Sequence, residues 1–169
     1  MMAASPAPRL STLLAGLTDA PLADDPEICG LTLDSRAVQP GWLFIAVPGA
    51  RADGRAYLAG AYARGAAAAV YETKGFASET RYTNAIGVQD LREHVGVIAD
   101  RFYGAPSRKL QVIGVTGTNG KTTTTHLLAQ VLDRPPARCG LIGTLGSGFP
   151  DRLDPSLHTT PDAVSVHGL

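Results

Sequence analysis

The chain has no net charge to offer: fifteen basic and fifteen acidic residues cancel over 169 positions. A balanced surface builds no global field toward nucleic acid or an anionic membrane, so neither is an expected partner. Aromatic residues make up only 6 % of the chain, and there is a single tryptophan. Cysteine is scarce too. Cys29 and Cys139 stand far apart, with no CxxC spacing and no histidine-rich neighbour, which excludes a disulfide framework and a zinc knuckle and reads as reduced, buried thiols. No apolar run is long enough to span a bilayer. Leu10 to Leu17 has some leader character, but Ser11, Thr12 and Gly16 interrupt it. Leu10, Leu13, Leu14 and Leu17 recur at helical spacing, so a short amphipathic helix and a cytoplasmic protein are the expectation.

What is present is 44 % hydrophobic residues, enough for a core in one ordinary domain or two small ones. Trp42–Val47 reads as a strand between the turn residues Pro40-Gly41 and Pro48-Gly49. Arg55 to Arg64 is an alanine-rich helix stopped by Gly65, and Ala66–Tyr71 and Ile86–Val88 are further short strands. Asp90 opens the next helix with Glu93 three residues on, as in a capping box, and Leu91, Val95, Ile98 and Phe102 form its apolar stripe. The stop at Tyr103-Gly104-Ala105-Pro106 marks a domain boundary, giving 1–106 and 107–169. Beyond it the pattern predicts a strand from Lys109 to Val115 and a helix from Lys121 that buries Leu127, Leu128, Val131 and Leu132. Pro135-Pro136 ends that helix, and another strand runs from Cys139 to Leu145. The rest reads as loop. The fold class is α/β: a small α/β domain, then the start of a doubly wound nucleotide-binding sheet.

The most informative stretch is Val112-Ile113-Gly114-Val115-Thr116-Gly117-Thr118-Asn119-Gly120-Lys121-Thr122-Thr123. An apolar strand, a glycine-rich turn and Lys-Thr opening a helix make a phosphate cradle. Backbone N–H groups of Gly117, Thr118, Asn119 and Gly120 converge on an anion at the helix start. Lys121 supplies a charge to the outer phosphates, and the Thr122 hydroxyl can hold Mg²⁺. The common pattern has four residues between its glycines. Here Gly117 and Gly120 enclose two, and Gly114 and Gly120 enclose five.

The loop alone does not choose among kinases, switches, ATPases and ligases; the residues before it do. Leu31-Thr32-Leu33-Asp34-Ser35-Arg36 is followed by Pro40-Gly41-Trp42-Leu43-Phe44-Ile45-Ala46, then Gly49, Asp53-Gly54 and Gly65-Ala66. This order resembles the N-terminal substrate domain of the Mur ligases, most of all those of MurE type. GVTGTNGKTTTT resembles the ATP loop of that family, with the same glycine spacing. Gly143-Thr144-Leu145-Gly146 and Thr159-Thr160-Pro161-Asp162-Ala163 are similar to two stretches that follow it. One departure is Trp42, where the pattern usually has Asp.

The resemblance implies an ATP-dependent ligase that adds a third amino acid, diaminopimelate or lysine, to UDP-N-acetylmuramoyl-L-alanyl-D-glutamate through an acyl phosphate. It implies that Leu33 and Ser35 contact the uridine end of that substrate and that Ala50, Arg51 and Ala52 line the same site. Thr159 and Thr160 would touch the muramoyl-peptide portion, and Gly117 to Thr123 would wrap ATP with Mg²⁺ on Thr122. Lys121 would stabilise the charge that moves onto the γ-phosphate.

Each assignment has a plainer alternative. Asp34-Ser35 can simply close a turn, Thr160 can be a helix cap before Pro161, and Arg51 can be a solvated surface charge. His94 and His126 fit helix packing, and His158 is a lone loop histidine. The modified lysine, acidic metal ligands and amino-acid-selecting domain that the resemblance calls for have no counterpart here. The chain is therefore expected to be a monomeric fragment, inactive alone. The alternatives are a non-catalytic nucleotide or UDP-sugar-binding module and, more distantly, an unrelated kinase or ATPase.

Overall fold

The computed structural model describes residues 7–49, 52–76, 82–155 and 161–169. They form two units, one up to Pro106 and one from Ser107.

The first unit begins with α1 (Leu10–Leu14), whose three leucines are buried. The chain before it is pinned by main-chain bonds, Leu10 to Pro26 and Ile28 to Pro8. The helix is shorter than its leucine spacing suggests because Gly16 turns to a φ of +69°. Four strands follow: β1 (Gly30–Thr32), β2 (Trp42–Ala46), β3 (Ala68–Glu72) and β4 (Ala85–Val88). They lie in the order 1-2-3-4, and every neighbouring pair is parallel. Four consecutive residues of β2, Leu43 to Ala46, are buried. That is the signature of an interior strand covered on both faces.

On one face Phe44, Ala46 and Ala69 meet Leu58 and Ala61 of α2 (Leu58–Ala63), with Val38 and Ala66. The alanines let this helix approach closely, and its first turn, Gly54–Tyr57, is a tighter 3₁₀ turn. Alternation along the strands turns Leu43, Ile45 and Val70 to the other face. There α3 (Leu91–Phe102) packs on β3 and on α1. Leu91, Val95 and Ile98 of its predicted stripe are buried, joined by Ala99, while Phe102 stays partly exposed.

The start of α3 differs from the expected capping box. Asp90 sits in the left-handed region at φ 51° and makes no side-chain cap. Glu72, at the end of β3, caps the helix from outside. Its carboxylate accepts Leu91 N at 2.8 Å, Asp90 N at 3.2 Å and Lys74 N at 3.0 Å. Glu72 is only 8 % exposed, so three N–H donors replace the water it loses.

The second unit departs further from its sequence pattern. After a 3₁₀ turn at Pro106–Lys109, residues 111–116 pair with no strand, and Leu110, Val112 and Ile113 are exposed. The expected strand is absent because a strand needs neighbours for its N–H and C=O groups. No described strand lies beside it. Helix α4 (Lys121–Leu132) forms as expected but buries only Ala129, and Leu127, Leu128, Val131 and Leu132 are exposed.

In place of a single strand and loop there is a three-stranded antiparallel sheet of β5 (Leu141–Gly143), β6 (Gly146–Phe149) and β7 (Arg152–Asp154). β6 reads Gly-Ser-Gly-Phe and so has no apolar alternation to detect, and its Gly146 and Gly148 take φ of +131° and +137°. Arg138 ties this sheet to the end of α4: it pairs with Asp133 and Asp151 and lies over the Phe149 ring at 4.3 Å. Helix α5 (Ala163–Gly168) starts on Asp162, whose carboxylate accepts Val164 N and Ser165 N. Cys29 is exposed and Cys139 half-buried, so neither is the buried thiol that was expected.

Candidate functional site

Two places in the chain combine exposed backbone with the predicted residues, one in each unit. In the first unit, β1 and β2 run side by side with Thr32 opposite Phe44. The segments leaving their carboxyl ends, Leu33–Ala37 and Val47–Gly49, therefore emerge together at one end of the sheet. Loops leaving the carboxyl ends of parallel strands are free to present backbone and side chains on a rigid scaffold.

The first segment is a turn built by Asp34. Its N–H donates to Thr32 Oγ1 at 3.0 Å, and its carboxylate accepts Arg36 N at 2.9 Å. The Arg36 guanidinium adds a forked pair to the same carboxylate, 2.8 Å at its shortest. Its hydrogen bonds to Asp34 hold that carboxyl below the usual range. Asp34 thus performs the turn-closing role, and Leu33 and Ser35 flank it, both half-buried.

The second segment is tied to the residues around Asp53 by main-chain bonds. Gly49 N donates to Ala52 O at 2.8 Å and Gly54 N to Val47 O at 3.1 Å, with Pro48 bridged to Asp53. Glycine is required at 54, where a Cβ would sit 2.8 Å from Val47 O. Ala52 is exposed on this loop. Ala50 and Arg51 lie outside the described residues, as do Thr159, Thr160 and His158.

Asp53 closes the loop by accepting Arg55 N at 3.0 Å. The side chain of Arg55 reaches the same carboxylate and, by hydrogen bonding, lowers its pKa. Arg55 was not anticipated as part of this edge. The signal was its place two residues after Asp53, but nothing local shows where so long a side chain goes.

In the second unit the glycine-rich loop reaches α4 through two glycines with positive φ, Gly117 at +146° and Gly120 at +78°. Gly120 occupies the N-cap position, which leaves the first N–H groups of α4 without a side-chain acceptor. The Lys121 ammonium folds back over the loop and donates to Gly117 O and, at 3.4 Å, to Thr118 O. Residues 117–121 are exposed, and Thr122 is half-buried beside them. Open N–H groups, an exposed ammonium and a hydroxyl in the first turn form a donor set suited to a polyphosphate and a hard cation.

Residues 27–103 match the Mur ligase family, catalytic domain, and residues 115–169 match the Mur ligase middle domain. The chain is built of Mur ligase domains. It is 50 % identical over 167 residues to the UDP-N-acetylmuramoyl-L-alanyl-D-glutamate--2,6-diaminopimelate ligase of Alkalilimnicola ehrlichii, covering 94 % of this chain and 34 % of that protein. The enzyme of the same name from Pseudomonas putida is 56 % identical over 84 % of this chain and 29 % of its own length. This Mur ligase chain thus spans about a third of the curated relatives it matches.

Among solved structures, one titled for the same diaminopimelate ligase superposes with a TM-score of 0.73 at 30 % identity. It covers 96 % of this chain and 32 % of that one. A MurF structure from Acinetobacter baumannii, at 24 % identity, TM-score 0.55 and covering 83 % of this chain and 30 % of its own, shares the fold. The parallel sheet of the first unit is therefore an α/β fold that solved Mur ligases also have.

Proposed function

We propose that the chain supplies the UDP-substrate domain (1–106) and the start of the ATP-binding domain (107–169) of an ATP-dependent amide-forming ligase. Its substrate is UDP-N-acetylmuramoyl-L-alanyl-D-glutamate, and the added amino acid is diaminopimelate, as the names of its relatives suggest. The observation that carries this reading is the lysine-bearing loop at the head of α4 in a chain whose two parts match Mur ligase domains in sequence.

In this reading Leu33, Ser35, Ala50, Arg51 and Ala52 receive the uridine end of the substrate. Thr159 and Thr160 meet its muramoyl-peptide portion. Gly117, Thr118, Asn119 and Gly120 present backbone N–H groups to the phosphates of ATP, with Thr123 following in the first turn of α4. Lys121 releases the carbonyls of Gly117 and Thr118 and turns its charge to the γ-phosphate. There it offsets negative charge that grows as the phosphoryl group moves to the substrate carboxylate. Thr122 is the residue of this chain that would hold Mg²⁺, which neutralises phosphate charge when bound. The setting is the cytoplasm and the protein a monomer.

Calorimetry with Mg-ATP on the whole chain tests the nucleotide half. Lys121→Ala is expected to weaken binding at least about tenfold, the scale of one strong charged contact. Equal affinity in the variant would remove Lys121 from the site. A second reading, a binding module without turnover of its own, is favoured by the donor set. The 169-residue chain is accordingly expected to bind both nucleotides yet form no amide, and ATP-dependent amide formation by the pure chain would exclude the module reading.

A further inference from the structure

Arg55 carries a charged side chain that is only 9 % exposed. Its Nε donates to both oxygens of the Asp53 carboxylate, at 2.9 and 3.0 Å, and its Nη2 reaches one of them at 2.7 Å. Nη1 turns the other way and donates to two main-chain carbonyls, Glu72 O at 3.2 Å and Lys74 O at 2.8 Å. The ring of Phe76 covers the guanidinium at 4.7 Å. The planar fork therefore acts as a bracket: one side grips the loop after β2, and the other grips the carboxyl end of β3.

The opposite limb of the loop is held as well, since Arg92 of α3 donates through Nη2 to Pro48 O. Burying an arginine is a costly way to gain stability, because a well-packed apolar side chain serves at least as well. What the guanidinium adds is direction. Its donors leave in fixed orientations, and a lysine ammonium has neither the reach nor the plane to satisfy a carboxylate and two carbonyls together.

We propose that Arg55, acting through Asp53, is a positioning residue that holds the limbs Val47–Gly49 and Ala52–Gly54 beside Leu33 and Ser35 so that the edge is preformed for a UDP-sugar. The inference rests on the substrate reading given above and names how its site is kept in shape. Arg55 touches no ligand in this scheme. Its effect comes from ordering cost: a loop already held in place binds without losing freedom it would otherwise have to give up.

The test uses the whole 169-residue chain and UDP-N-acetylmuramoyl-L-alanyl-D-glutamate as the probe. Calorimetry is run at about 10 °C, near the usual temperature of maximum stability, with circular dichroism verifying that each variant is folded. Arg55→Met is expected to weaken binding of the probe about tenfold, the scale of a few ordered rotors, with Arg55→Lys in between. Affinity for Mg-ATP, which binds the other unit, stays within about twofold of wild type.

A folded Arg55→Met with wild-type affinity for the probe would overturn the proposal and leave Arg55 a stabilising residue only. Should Arg55→Met not fold, Arg55→Lys and Asp53→Asn carry the test, and unchanged affinity in both overturns it. A wild-type chain that binds Mg-ATP but no UDP probe would bring down the substrate reading and this inference with it. A wild type that binds the probe while the variants match it brings down this inference alone.

Discussion

Single residues carry the clearest departures from a generic pattern. Trp42, where the resemblance leads one to expect Asp, has its structural counterpart in Gly30. The two are opposite each other in the β1–β2 register, and a Cβ on Gly30 would lie 2.6 Å from Trp42 Cδ2 and 2.7 Å from Nε1. Gly30→Ala is therefore expected to destabilise by about 1–3 kcal/mol, the usual range for overpacking. In a Trp42→Ala background the same change costs less. A denaturation cycle on the four proteins measures the coupling, and additive effects would show that the indole does not occupy that space.

Asp53 gives a pH signature. Its folded pKa lies below the ordinary value of 3.8, chiefly through hydrogen bonds from the Arg55 side chain. The pair thus contributes stability above that value, and the contribution is lost as pH falls through the lower folded pKa. The gap in Tm between wild type and Asp53→Asn should close as pH drops from about 5 to about 3. A gap that widened over this range would reverse the assignment.

At the level of elements, α3 was legible and its cap was not. Leucine and valine spacing marks its buried face, but its first N–H groups are satisfied by Glu72, far away in the chain. Sequence windows detect local acceptors such as Glu93, and a carboxylate delivered by a neighbouring strand is invisible to them. Glu72→Ala should cost about 2 kcal/mol or more, since a lost cap is joined by orphaned buried donors. Glu93→Ala should fall within about 0.5 kcal/mol of wild type, as a surface change does. Chemical denaturation distinguishes the two, and similar losses in both would restore the capping box. The glycine-rich loop before α4 behaves oppositely. Glycines, lysine and helix start are contiguous, so that local geometry could be read directly.

Over the whole molecule, the two units differ in how well their apolar residues are covered. The first buries Phe44, Leu43, Ile45, Leu91 and Ile98 completely or nearly so. The second leaves Leu110, Val112, Ile113, Leu127 and Val131 more than half exposed. Amides of residues 111–116 should therefore exchange with solvent close to unprotected rates, while those of β2 and β3 are protected. Hydrogen exchange by NMR measures this directly, and strong protection at Val112 or Ile113 would show pairing that the described strands do not provide. A dye that reports exposed apolar surface should bind to the chain for the same reason.

Sequence alone was sufficient for whatever depends on neighbours in the chain. The strand β2, the α3 stripe as far as Ile98 and the glycines leading into α4 follow from periodicity and backbone freedom over a few residues, whereas the turn at Asp34 was one of two readings the sequence left open. The bonds from Glu72 to the start of α3, from Arg55 to the carbonyls of Glu72 and Lys74, and the facing of Trp42 and Gly30 came from elsewhere, because these contacts join segments brought together only by the parallel sheet. The strand expected at 109–115 shows the same limit from the other side. Its residues have the right character, but a strand is a property of a pair, and hydrogen-bonding partners are supplied by tertiary structure rather than by the segment itself.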